Sequence, residues 1–234
     1  MTKIALALNV ADSGKALGWL ERLGKSIDCY KLQMDLFGRA GPEVVRKFAG
    51  AGVEVFLDLK FHDIPSVVAS AVSASAEMGV SLLTVHASGG YKMLAAAAEA
   101  SRKAGAKRPR VLGVTVLTSL DEAELERVFG CRQTVAERVS ALARLARDAG
   151  CDGIVCSPQE VNMVKQEFGK DFLAVCPGIR LASEARSADD QARVATPAQA
   201  ARDGADYIVV GRPIYGAQDP LAAVAEIRKQ LEAR

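Results

Sequence analysis

Short apolar runs rich in β-branched residues recur along the chain. They fall at 3–8 (KIALAL), 28–32 (DCYKL), 53–59 (VEVFLDL), 80–85 (VSLLTV), 111–117 (VLGVTVL), 152–156 (DGIVC), 171–176 (DFLAVC) and 206–210 (DYIVV). Runs of this kind read as strands buried on both faces. The stretches between them carry helical signals. Residues 12–23 open with Asp12-Ser13, and 91–104 are rich in alanine. Residues 134–149 open with Thr134 and Glu137 at capping-box spacing and run to Gly150. Residues 196–203 open on Thr196-Pro197, an N-cap with proline at the first helical position. Eight strands alternating with helices over 234 residues predict an α/β fold, a (β/α)8 TIM barrel, as a single domain spanning 1–234. The competing architecture, a doubly wound open sheet, would carry a GxGxxG fingerprint after its first strand, and that fingerprint is missing.

In such a barrel the chemistry belongs at the C-terminal ends of the strands. Those ends carry Asn9, Lys31, Asp58 with Lys60 and Asp63, His86, Thr118-Ser119, Ser157, Gly178-Ile179-Arg180 and Gly211-Arg212. Asp58 and Lys60 are two apart and point to the same side of a strand, with Asp63 following on the loop. A lysine held among carboxylates stays protonated, which suits proton donation or carbanion stabilisation better than Schiff-base chemistry. Spacing alone fits a structural ion pair at the barrel mouth equally well. The loops after the seventh and eighth strands hold Pro177-Gly178-Ile179-Arg180 and Gly211-Arg212-Pro213-Ile214. Glycine admits an anion to the backbone N–H groups and arginine offers a bidentate fork, so these loops are expected to bind phosphate. Between them the polar segment of about 181–195 is long for a βα connection and is expected to be a lid.

Composition narrows the class further. Half of the residues are hydrophobic, a quarter are charged and the net charge is +2, which excludes a disordered chain and a basic nucleic-acid-binding surface. No apolar run reaches the roughly 18 residues of a membrane span. Met1 to Leu6 lead straight into a strand-like run, so no signal peptide and a cytoplasmic location are expected. The five cysteines (Cys29, Cys131, Cys151, Cys156, Cys176) are odd in number, lack CxxC spacing and read as reduced thiols. His62 and His86, the two histidines, do not suggest a histidine-rich metal site and read as structural.

Taken together, FLDLKFHDIP (56–65), TVHASGG (84–90), GVTVLTSL (113–120), DGIVCSPQE (152–160), PGIR (177–180), DDQARVATPAQA (189–200) and DYIVVGRPI (206–214) closely resemble the orotidine 5'-phosphate decarboxylase family. The matching segments are spread from residue 56 to residue 214. The resemblance implies a homodimeric barrel that converts orotidine 5'-phosphate to UMP and CO2 in pyrimidine biosynthesis, with no metal and no organic cofactor. It implies that Lys60 donates the proton to C6 of the pyrimidine and that Asp58 lies beside the departing carboxylate. Asp63 would reach into the partner subunit's site. Lys31 would bind ribose and support Asp58, and Thr118 and Ser119 would hold the pyrimidine. Gln191, on the lid, and Arg212 would grip the phosphate, with Arg180 and the Gly211 backbone lining the same pocket.

Several positions depart from the family pattern. The usual ALD at the end of the first strand is Ala7-Leu8-Asn9, the usual KVG is Lys31-Leu32-Gln33, and the usual DIPNT ends in Ser66-Val67. Asn9 and Val67 fall on expected ribose contacts, so weaker ribose binding or a slightly different sugar is expected. A sugar-phosphate decarboxylase or aldolase of the same barrel group, typically Mg²⁺-dependent, is therefore one alternative. A catalytically idle nucleotide-phosphate binding protein is another. The Thr118-Ser119 segment and Gln191 argue against the first, and the retained Asp58, Lys60 and Asp63 against the second.

Overall fold

The computed structural model describes residues 1–181 and 194–233. Eight parallel strands close into a barrel in sequence order. They are β1 (Lys3–Leu8), β2 (Cys29–Gln33), β3 (Glu54–Phe61), β4 (Leu82–His86), β5 (Arg110–Val114), β6 (Gly153–Val155), β7 (Leu173–Cys176) and β8 (Tyr207–Val210). The ring closes where β1 pairs with β8, Lys3 lying opposite Tyr207 and Leu6 opposite Val210. Each apolar run therefore marks a strand, as its composition predicts.

The helices are α1 (Ser13–Leu23), α2 (Met34–Gly50), α3 (Pro65–Glu77), α4 (Tyr91–Lys103), α5 (Glu122–Phe129), α6 (Val135–Asp148), α7 (Val161–Phe168), α8 (Pro197–Arg202), α9 (Arg212–Tyr215) and α10 (Pro220–Glu232). The capping signals hold. Asp12 accepts from the Lys15 N–H at 2.7 Å and starts α1. Thr134 and Glu137 form the reciprocal capping box of α6. Thr196 caps α8, with Pro197 at its start. Within α2 the chain kinks at Gly41, whose φ of 64° glycine adopts at little cost, and Pro42 restarts the helix.

Alternation on each strand divides the core in two. Ala5, Ala7, Cys29, Phe56, Leu82, Leu112, Val175, Tyr207 and Val209 fill the barrel interior. Their strand neighbours, such as Ile4, Leu6, Tyr30, Leu57, Leu83 and Ile208, pack against the helices. Both faces of each strand are thus dry, which is why the runs lack polar alternation. At the N-terminal end the barrel is plugged by polar groups that satisfy one another. The Tyr207 hydroxyl donates to Glu54 at 2.8 Å and accepts from Arg110 at 2.6 Å, and Lys3 pairs with Glu54 at 2.5 Å. The C-terminal end opens instead into a cavity.

Strand limits differ from expectation where the chain bends toward that open end. The expected strand 111–117 stops at Val114, and Val116, Leu117 and Thr118 turn in to line a cavity. The expected strand 53–59 continues to Phe61 through an irregularity in its pairing with β4. Among the described residues no helix is long and apolar enough to cross a membrane.

Candidate active site

The open end of the barrel holds a cavity of about 310 Å³. Its wall includes Ala7, Asn9, Lys31, Gln33, Phe56, Asp58, Lys60, Thr118, Gly178, Arg180, Gly211 and Arg212. Seven of the eight strands, or the loops that follow them, contribute to that wall, so residues distant in sequence meet because the barrel closes.

Asp58 is the centre of the charged floor. Register places Gln33 of β2 opposite Asp58 of β3. The Lys31 ammonium reaches one carboxylate oxygen of Asp58 at 2.8 Å, and the Lys60 ammonium reaches the other at 2.8 Å. Lys31 also donates to the Gln33 side-chain carbonyl at 3.1 Å. Asp58 is only 7% exposed and Lys31 only 8%. Burial alone would push the Asp58 carboxyl up, but Lys31 and Lys60 outweigh it and hold the group down at about 2. Asp58 is therefore an anion at neutral pH, clamped between two cations.

Lys60 is placed by a backbone irregularity. Among the described residues it is the one non-glycine with positive φ, at 51°. The left-handed region costs a side-chain-bearing residue roughly 1–2 kcal/mol. The β3–β4 ladder runs to Leu57 opposite Leu83, then resumes at Phe61 opposite Val85. Such a bulge re-aims a side chain, and Lys60 sits inside this one with its ammonium against Asp58. Thr84, fully buried on β4, bridges the gap: its hydroxyl accepts from the Lys60 N–H at 2.9 Å and donates to Asp58 at 3.0 Å.

The phosphate-type loops stand on the same rim. Gly178 takes a φ of 82°, and Arg180 follows it. Gly211 precedes α9, which begins with Arg212. The Arg180 N–H donates to the Ala195 carbonyl at 3.0 Å, and the Ala195 N–H donates to the Gly178 carbonyl at 3.1 Å. This bridge brings the two ends of the expected lid together at the cavity edge. Gln191 and most of the 181–195 segment lie outside the described residues.

Two expected residues stand apart from the cavity of their own chain. Asp63 is exposed, and its carboxylate accepts from the Ile64 N–H at 2.7 Å. Ser119 is exposed and turned off the wall that Thr118 lines, because a turn from Leu117 to Leu120 swings it outward. Val67 likewise faces outward, on the first turn of α3. Ser157, buried at the end of β6, is consumed in a capping box with Glu160. His62 and His86 stack with ring centres 5.3 Å apart, off the cavity wall. Burial, then the neighbouring His62 and Lys60, push the His86 imidazole down, so it is neutral near pH 7. Thr84 and the Gln33 carbonyl are the contacts that pattern reading did not assign. Thr84 lay in plain view within TVH, but only the bulge opposite it reveals what its hydroxyl meets.

Known proteins match this arrangement along the chain. The family model described as orotidine 5'-phosphate decarboxylase / HUMPS family matches residues 2–227. An orotidine 5'-phosphate decarboxylase of Pseudoalteromonas translucida is 46% identical over 230 residues, covering 98% of this chain and 97% of that protein. One from Chromobacterium violaceum is 48% identical over 229 residues, covering 97% of this chain and 91% of that protein. Among solved structures, an orotidine 5'-phosphate decarboxylase from Lactobacillus acidophilus superposes with a TM-score of 0.88 at 37% identity, covering all of both chains.

Proposed function

The chain belongs to the orotidine 5'-phosphate decarboxylase / HUMPS family, and from that premise we propose how its barrel mouth performs the reaction. The protein is a carboxy-lyase that decarboxylates orotidine 5'-phosphate to UMP in pyrimidine biosynthesis. The observation that carries this reading is the Lys31–Asp58–Lys60 clamp beneath two arginine-bearing glycine loops in one cavity.

The substrate carries a phosphate at one end and a carboxylate at the other. In our reading, Arg180, Arg212 and the Gly211 backbone take the phosphate. Gln191 of the lid segment joins them, and Thr118 flanks the pyrimidine from the cavity wall, from which Ser119 stands apart. Asn9 and Lys31 meet the ribose. That pose sets C6 and its carboxylate against Asp58 and Lys60. The C6–carboxylate bond breaks, CO2 leaves and the electron pair stays on C6. No ring atom is placed to absorb that pair, so the protein must stabilise it. A fixed ammonium in a water-poor site does so more effectively than solvent. A proton then passes from the Lys60 ammonium to C6, giving UMP and a neutral amine that regains its proton from water. Asp58 stays ionised throughout and keeps like charge beside the departing carboxylate. None of these steps calls for a metal or organic cofactor.

We further propose that the enzyme is a cytoplasmic homodimer with shared sites. Asp63 is exposed and takes no part in its own cavity wall, which leaves it available to a neighbouring subunit. Met34, Ile64, Val67 and Tyr91 are exposed apolar side chains on the segments that follow β2, β3 and β4. Three consecutive strands deliver them to one side of the mouth, where a second subunit would cover them. Four of the five cysteines are buried and all five are free, consistent with a reducing compartment.

The test is turnover. Purified protein with orotidine 5'-phosphate and EDTA is followed by the ultraviolet change on UMP formation. Loss of absorbance matched by UMP establishes the activity without added metal. No conversion by folded protein, with turnover of a sugar phosphate once Mg²⁺ is added, would shift the assignment to the other branch of the family.

A further inference from the structure

The hydroxyl of Thr84 closes a ring that passes twice through Lys60. The Lys60 N–H donates to Thr84 Oγ1 at 2.9 Å, Thr84 Oγ1 donates to Asp58 Oδ1 at 3.0 Å, and the same Oδ1 receives the Lys60 ammonium at 2.8 Å. A hydroxyl carries one proton. Because Oγ1 accepts from the backbone, that proton is free for the carboxylate, and the direction of both bonds is fixed. Thr84 is completely buried and is not part of the cavity wall, so it does not touch a molecule held there. It faces the bulge where the β3–β4 ladder is broken, and there it gives the Lys60 N–H the partner that the ladder no longer supplies.

We propose that Thr84 is a positioning residue of the reaction, holding Lys60 in its left-handed backbone conformation and Asp58 in the orientation that presents the ammonium to C6. The inference rests on the decarboxylase reading. The strain at Lys60 persists only if surrounding contacts over-determine it. The Thr84 hydroxyl is one such contact and reports on both members of the pair at once. Without it, the Lys60 N–H is left unsatisfied inside the barrel wall. The backbone can then relax toward an ordinary strand, which swings the side chain away. A misplacement of about 1 Å is enough to cost on the order of 100-fold in rate.

The experiment compares wild type with Thr84→Val, which keeps the shape and removes the hydroxyl, and with Thr84→Ser, which restores it. In Thr84→Val kcat is expected to fall about 10- to 100-fold. KM and the affinity for UMP should stay within about threefold, because Thr84 lies off the cavity wall and the arginine-bearing loops expected to hold the phosphate are untouched. The acid limb of the kcat–pH profile should move to higher pH, since Asp58 loses a donor that favours its charged form. Thr84→Ser should recover most of kcat. If Thr84→Val does not fold, Thr84→Cys, with a weak donor and acceptor of similar size, takes its place. An unchanged kcat in a folded variant, a loss confined to KM and UMP affinity, or a loss that serine does not rescue would each overturn the proposal. Wild-type protein that turns over no orotidine 5'-phosphate would instead overturn the decarboxylase reading, and the inference with it.

Discussion

Asp58 ties stability to chemistry. Its carboxyl is held at about 2, below the ordinary 3.8, so the folded state favours the ionised form. That contribution is complete above the ordinary value and is lost as pH falls toward the folded one. A shift of this size corresponds to about 2 kcal/mol. Urea unfolding at pH 5 and at pH 2 should therefore show the wild type losing about 2 kcal/mol more than Asp58→Asn on acidification. Equal losses would remove the clamp from the energetics. Asn9 offers a second test. Carboxamide replaces the family's carboxylate on the cavity wall, and a charge-assisted hydrogen bond contributes roughly 1.5–3 kcal/mol. Asn9→Asp should thus raise kcat/KM for orotidine 5'-phosphate by about tenfold, mostly through KM. No gain would make Asn9 an adequate ribose contact in its own right. Asp58, Lys60, Lys31 and Arg212 were legible in the sequence because their segments are distinctive. The role of Thr84 was not, because it depends on a backbone irregularity in the neighbouring strand.

At the scale of elements, apolar runs located every strand because both faces of each are buried. The same uniformity hid their ends: only Thr115, a β-branched residue at home in a strand, separates Val114, the last residue of β5, from Val116, which turns into the cavity. Helix starts were easier, since Asp12, Thr134 and Thr196 each announce a cap through a specific hydrogen bond. Of the two glycines within strands, Gly113 and Gly153, the one on β6 has the less room. A side chain there would meet the backbone carbonyl and Cβ of Leu173 on β7. Gly153→Ala should lower stability by about 1–3 kcal/mol, measured by thermal or urea unfolding. An unaffected midpoint would show that β6 and β7 can move apart freely. Both strands end at the rim that carries the phosphate-type loops, so the same variant should weaken UMP binding.

The whole molecule follows from closure. Barrel formation brings Lys31, Asp58, Lys60, Arg180 and Arg212 to one cavity although they span most of the chain. Periodicity predicted the barrel; the expectation of a dimer came from the family resemblance, not from periodicity. Asp63 provides the decisive test of sharing. Lys60→Ala and Asp63→Ala should each be nearly inactive alone. Mixed and allowed to exchange subunits, they should regain about a quarter of wild-type activity, because half the dimers are mixed and one site in each is intact. Silence after exchange, or a monomer by sedimentation, would contradict a shared site.

In the proposed mechanism the Lys60 ammonium protonates C6 after CO2 leaves. Turnover of orotidine 5'-phosphate in D2O, with the product read by NMR, puts that step to the test. Wild type should give UMP bearing one deuterium at C6, and Lys60→Ala should be slower by about 10²- to 10⁴-fold or more. UMP formed by folded Lys60→Ala at close to the wild-type rate would show that Lys60 is not the proton donor.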